Sequence, residues 1–169
     1  AQDGQTYYFM GEEDKERQVR IEFPSGKVQH YEGERGNERL VRAEFLNGQL
    51  QYYVGERDKE QLVTAEFPSG KMQCYEGEKN KERHVKTKFP NGRLHYYEGE
   101  MDKERLIKVE TPTGNVENYE GEKNKERLVT IKFPSGKVEH YEGERFEERH
   151  IKTEHANGWI QYYEGEKDE

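Results

Sequence analysis

The sequence predicts an all-β fold: an elongated antiparallel meander of about fifteen short strands, built from 22-residue β-hairpin repeats in a twisted or curled array. Three observations predict it. One glycine series runs Gly4, Gly26, Gly48, Gly70, Gly92, Gly114, Gly136 and Gly158. A second runs Gly11, Gly33, Gly55, Gly77, Gly99, Gly121, Gly143 and Gly165, and both advance by 22 residues at every step without an insertion or deletion. Between the glycines, apolar and polar residues alternate with the period of a strand. The hairpin turn Phe-Pro-Ser/Asn-Gly then recurs at Phe23, Phe67, Phe89 and Phe133.

Each element of the repeat has its own reason. The first strand follows a glycine, as in Gln49-Leu50-Gln51-Tyr52-Tyr53, and in most repeats ends on Tyr-Glu-Gly-Glu. Its Val, Ile, Tyr and Phe content favours a strand. Two glycines per repeat, with Pro24, Pro68, Pro90, Pro112 and Pro134, would break a helix of useful length. A polar link such as "EGEKNKER" at Glu76 reads as a hairpin connection. Its Lys-Glu-Arg, at 15–17, 81–83, 103–105 and 125–127, is expected to hold the link by local ion pairs worth about 0–1 kcal/mol each. In the second strand Val41, Ala43 and Phe45 share a face, as do Val63, Ala65 and Phe67, and Val129, Ile131 and Phe133.

The closing turn fits a three-residue loop with a glycine bulge. Proline presets φ for its second residue and glycine accepts the left-handed position; Leu46 and Ala156 replace proline but keep Asn-Gly. With that turn Phe45 stands opposite Gln49. Tyr31, Tyr53, Tyr75, Tyr97, Tyr119, Tyr141 and Tyr163 then fall on the phenylalanine face. The other face is expected to hold Val28, Leu50, Met72, Leu94, Val116, Val138 and Ile160, together with Leu40, Leu62, Leu106 and Leu128. A two-residue turn would slip the register by one and send the tyrosines to the more charged face. Neither face carries a full core, so each repeat is expected to bury its stripes against the next, as a single repeat domain over 1–169 of about seven and a half repeats.

Composition narrows the function classes. Hydrophobic residues are 30% and charged residues 38%, near the range where chains stay disordered, but twelve tyrosines, seven phenylalanines and a strict period argue for order. The net charge of −8 would be repelled by nucleic-acid phosphates and anionic lipid heads, so neither nucleic acid nor membrane is an expected partner. No run of 18 apolar residues and no basic-then-apolar leader is present, which points to a cytoplasmic setting. Cys74 is alone, so no intrachain disulfide or cysteine-based zinc cluster is expected.

No catalytic constellation stands out. His30 and His140 take the place of Tyr52, Cys74, Tyr96, Asn118 and Tyr162 in other repeats. His84 and His150 sit at the Leu40 position, His155 at the Phe45 position and His95 at the Gln51 position. They are ordinary strand substitutions without metal-ligand spacing. The carboxylates are flanked by lysine and arginine, and no calcium-loop pattern appears. The expectation is no enzyme, no metal and no cofactor.

The phrase Tyr-Glu-Gly-Glu at Tyr31, Tyr75, Tyr97, Tyr119, Tyr141 and Tyr163, followed by Asn-Gly or Ser-Gly turns, resembles the MORN (membrane occupation and recognition nexus) repeats, here as a divergent, MORN-like 22-residue unit. The tryptophan usual after that phrase is replaced by Lys, Arg or Met. The resemblance implies a non-enzymatic interaction scaffold, often self-associating. The expected binding surface is Tyr31, Tyr52, Tyr53, Tyr75, Tyr96, Tyr97, Tyr119, Tyr141, Tyr162 and Tyr163, met by protein partners or by further copies of the chain. The alternative is carbohydrate: "DGQTYYFMGEED" is similar to choline- and glucan-binding cell-wall modules, whose sites use paired tryptophans, and the chain has Trp159 alone. Raw edges of the terminal strands could pair into dimers or filaments. The end on Tyr163-Glu164-Gly165, without a second strand, suggests a cap or a fragment of a longer array.

Overall fold

The computed structural model describes residues 4–163. Its strands are β1 (Thr6–Met10), β2 (Arg17–Glu22), β3 (Val28–Glu32), β4 (Arg39–Glu44), β5 (Leu50–Val54), β6 (Gln61–Glu66), β7 (Met72–Glu76) and β8 (Arg83–Lys88). They continue with β9 (Leu94–Glu98), β10 (Arg105–Glu110), β11 (Val116–Glu120), β12 (Arg127–Lys132), β13 (Val138–Glu142), β14 (Arg149–Glu154) and β15 (Ile160–Tyr162). The strand order of the antiparallel sheet is the sequence order, so the meander is open and the all-β expectation holds. The chain divides into two compact units, one running to His84 and the other starting at Val85. The last Glu-Gly-Glu, at 164–166, lies outside the described residues, as does the expectation about the chain's end.

The turns are of the bulged kind. The Phe45 amide donates to the Gln49 carbonyl at 2.9 Å, and the Gly48 amide to the Phe45 carbonyl at 2.8 Å. Gly48 has φ 80°, and a Cβ there would lie 2.9 Å from Cγ of Pro68. The proline of one turn therefore packs on the glycine of the turn before it. Register follows: Glu44 faces Leu50, Ala43 faces Gln51 and Arg42 faces Tyr52.

Across the link the register contains a residue the repeat pattern does not reveal. Tyr52 faces Thr64 but Tyr53 faces Leu62, so Val63 is an extra residue in a β-bulge. The same shift recurs where Tyr31 faces Leu40, Tyr97 faces Leu106, Tyr119 faces Leu128 and Tyr141 faces His150. The expected placement of Leu40, Leu62, Leu106 and Leu128 on the face opposite the tyrosines is thereby corrected. Simple alternation puts them there, and the bulge brings them back. Histidines at the same position report it directly: the Tyr75 and His84 rings are 5.6 Å apart, and those of Tyr141 and His150 5.3 Å.

In the link, the amide of Asn37 donates to the Glu34 carbonyl at 2.9 Å. The residue before it takes positive φ, as do its counterparts Asp14, Asp58, Asn80, Asp102, Asn124 and Phe146. Asn and Asp tolerate that conformation through their short polar side chains.

The core is a thin line. Among the described residues, Ile21, Ala43, Ala65 and Val109, with Thr87 and Thr153, are buried, and all hold one position of the second strand of the repeat. The apolar row at Val28, Leu50 and Met72, on the other face, is only half-buried.

Candidate functional site

The tyrosines named from the sequence fall into two sets. Tyr31, Tyr53 and Tyr75 in the first unit share the buried-core face, as do Tyr97, Tyr119, Tyr141 and Tyr163 in the second. Tyr52, Tyr96 and Tyr162 stand beside Tyr53, Tyr97 and Tyr163 in sequence, so strand alternation sends them to the opposite face. The expected single surface is thus two surfaces.

On the core face five hydroxyls are occupied within their own strands, while that of Tyr163 meets Thr153 of β14 at 3.3 Å. Tyr53 donates to Gln51 at 2.6 Å, Tyr31 to Gln29 at 3.0 Å and Tyr75 to Gln73 at 3.2 Å. Tyr119 donates to Glu117 at 2.8 Å and Tyr141 to Glu139 at 2.7 Å. Each phenol therefore leans back toward the residue two positions earlier. Gln29 and Gln51 flank Ala43, so the leaning rings roof a short side chain, and Ala43 and Ala65 are left with 0% exposure. Burial raises the phenol pKa of Tyr31, Tyr53 and Tyr97. Burial and the hydrogen bond to Glu139 push Tyr141 up to about 12. The rings remain half-exposed at an interval of two strands, roughly 9–10 Å.

The opposite face is more polar. The Lys108 ammonium lies 3.9 Å from the Tyr96 ring centroid, and the Tyr96 hydroxyl donates to Glu110 at 2.9 Å. Tyr52 reaches Glu66 at 3.4 Å, while Tyr162 is 71% exposed. His30 meets Glu44 at 2.7 Å and His140 meets Glu154 at 3.3 Å. On the core face His95 packs on Phe89 with ring centroids 4.6 Å apart, and burial, then Arg93, lowers its pKa. The histidines are scattered, and the described residues hold no group of three or more candidate metal ligands.

The links hold what the sequence pattern does not show. Lys-Glu-Arg is local in its lysine, which pairs with the glutamate three residues before, as in Lys81–Glu78 at 3.9 Å and Lys103–Glu100 at 3.5 Å. It is local also in its arginine, which meets the glutamate across the link, as in Arg83–Glu76 at 3.4 Å and Arg127–Glu120 at 3.7 Å. The glutamate reaches back to the previous repeat. Glu38 accepts the Gln18 amide at 3.2 Å, Glu60 that of Leu40 at 3.1 Å and Glu82 that of Leu62 at 3.2 Å. In the second unit Glu126 accepts the Leu106 amide at 3.2 Å and Glu148 that of Leu128 at 3.1 Å. The arginine reaches forward, with Arg39 on the Gly55 carbonyl and Arg105 on that of Gly121, both at 3.0 Å. A further basic residue holds the carbonyl of the positive-φ residue one link earlier: Lys79 on Asp58 at 3.2 Å and Lys123 on Asp102 at 2.7 Å. Arg57 on Gly36 and Arg145 on Asn124 do the same. Position 16, 38, 60, 82, 104, 126 and 148 is Glu in every link, as is the position four residues before it, whereas the neighbouring lysine becomes Asn37 or Glu147 and the arginine becomes Gln61.

No protein-family model matches the chain, and no curated protein matches it.

Proposed function

We propose that this chain is a non-enzymatic β-repeat scaffold that binds protein partners, or further copies of itself, through its regular Tyr- and Phe-bearing surface. One observation carries the reading. Charged residues of the kind that serve chemistry elsewhere are spent on backbone groups of neighbouring repeats, while the tyrosine rings stay half-exposed at a fixed interval with their hydroxyls already occupied. Such rings offer contact area at little entropic cost, because packing has already fixed them. The likeness of the Tyr-Glu-Gly-Glu phrase to MORN repeats supports the same reading.

The test combines light scattering of the purified chain with capture of partners on the immobilised chain from source extract. A self-associated species, or a protein retained in stoichiometric amount and displaced by free chain, supports the scaffold. A monomer that retains glycan and no protein would move the assignment to carbohydrate recognition.

A further inference from the structure

We propose that the link between β13 and β14, with the hollow beside it, docks a protein segment carrying an aliphatic or aromatic side chain flanked by lysine or arginine. This deepens the scaffold reading and rests on it, adding one defined docking point to a periodic surface.

Two adjacent residues of this link depart from the pattern, and both departures work against the fold. Phe146 has φ 68° where the other links place Gly, Asn or Asp. A bulky side chain gains nothing locally from that conformation, and an outlier of this kind points to a role outside the fold. Nor does the ring recover the strain by burial, since Phe146 is 83% exposed. Beside it, Glu147 replaces the lysine that pairs with the preceding glutamate in Lys59–Glu56, Lys103–Glu100 and Lys125–Glu122. Glu144 and Glu147 are both exposed, so two carboxylates face solvent where the corresponding Glu–Lys pair of those links is neutral.

The surroundings say what would fit. Phe146 borders an open hollow of about 320 Å³ whose apolar lining comes from Leu106, Tyr119 and Leu128. Glu126 and Glu148 stand in the same wall, their carboxylates fixed by the Leu106 and Leu128 amides. Arg145 lies over one side of the Phe146 ring at 4.4 Å and is itself held by the Asn124 carbonyl. An apolar side chain of a partner would fill the hollow against Phe146, and basic neighbours would meet Glu144 and Glu147. Charge complementarity thus selects a basic, apolar-centred segment over an acidic one.

The experiment uses the full chain and a fluorescent peptide with Leu-Trp between pairs of lysines, beside the same peptide with glutamates, at physiological ionic strength. Phe146→Asn leaves the net charge unchanged and restores the residue type of the other links. It is expected to weaken binding of the basic peptide about tenfold or more while raising the melting temperature. Glu147→Lys is expected to weaken it severalfold, and Gly36→Asn, in the link between β3 and β4, to leave it unchanged. Equal binding by Phe146→Asn, equal binding of the acidic peptide, or no binding by the unaltered chain would each overturn the docking site. None of these results bears on light scattering or partner capture, so failure here is distinguishable from failure of the scaffold reading.

Discussion

The backbone amide of Leu40 donates to Oε1 of Glu60 at 3.1 Å, across 20 residues of chain. Backbone pairing between β4 and β5 ends at Arg42 and Tyr52, and beyond it the carboxylate takes the place of a strand carbonyl. With so little buried apolar surface, such side-chain-to-backbone links between repeats become a main source of cohesion. Glu60→Ala leaves that amide without its acceptor and is expected to lower stability by about 1–3 kcal/mol, with Glu60→Gln costing less. Urea denaturation of both variants measures it.

Acid should weaken the fold through the same groups. Burial alone would raise the Glu60 pKa, but the amides of Glu60 and Leu40 and the Lys79 ammonium outweigh it and hold the carboxyl below its ordinary value. Glu38 is lowered by its own amide, against burial, and then by the amides of Gln18 and Gly36 and by Arg57. A depressed carboxyl pKa contributes stability above the unfolded value of 4.5, and that stability is lost as pH falls through the folded value. The urea midpoint is therefore expected to drop below about pH 4.5, and less steeply in Glu60→Gln.

At the alkaline end the sign reverses. Tyr141 is raised to about 12 by burial and by its hydrogen bond to Glu139. Its contribution is fully present below the ordinary value of 10.0 and disappears as pH rises through the folded value. Phenolate absorbance during alkaline titration should show the core-face tyrosines ionising late and together with unfolding.

The two glycine classes should respond oppositely. Gly48→Ala must hold a Cβ at φ 80° and 2.9 Å from Pro68 Cγ, so a loss of stability of about 1–2 kcal/mol is expected. Gly36 has φ 79°, a Cβ there would meet nothing within 4 Å, and other links place Asn or Asp at this position. Gly36→Asn is expected to raise stability by a few tenths to about 1 kcal/mol. Thermal melts of the pair separate the effects.

The two tyrosine faces should separate as well. Tyr53→Ala uncovers Ala43 and Ala65 and is expected to cost about 2 kcal/mol or more, whereas Tyr52→Ala should stay within about 1 kcal/mol. Urea midpoints of the two variants check it.

Much of this fold is legible in the sequence because its determinants are local. The 22-residue glycine interval, the Pro-Asn/Ser-Gly turn and the alternation around Val41-Ala43-Phe45 define strands, turn type and turn-side register within one repeat. The true places of Leu40 and Glu60 escape the pattern for one shared reason. The bulge at Val41 and the carboxylate reaching to an earlier repeat are contacts between strands, and neither leaves a mark on the spacing of a single hairpin. Tyr52 and Tyr53 look like one surface because they adjoin in sequence, although adjacency in a strand means opposite faces. Glutamate is unbroken at the Glu60 position, but it is equally unbroken at the Glu56 position, so the run alone does not mark the inter-repeat bond.

Hydrogen exchange at single amides tests the central idea, that links between successive repeats hold the sheet together. In the unaltered chain the Leu40 and Leu62 amides should both be protected, and in Glu60→Ala protection should fall at Leu40 while Leu62, held by Glu82 at 3.2 Å, keeps its own. A Leu40 amide that exchanges freely in the unaltered chain, or that is indifferent to loss of Glu60, would contradict it.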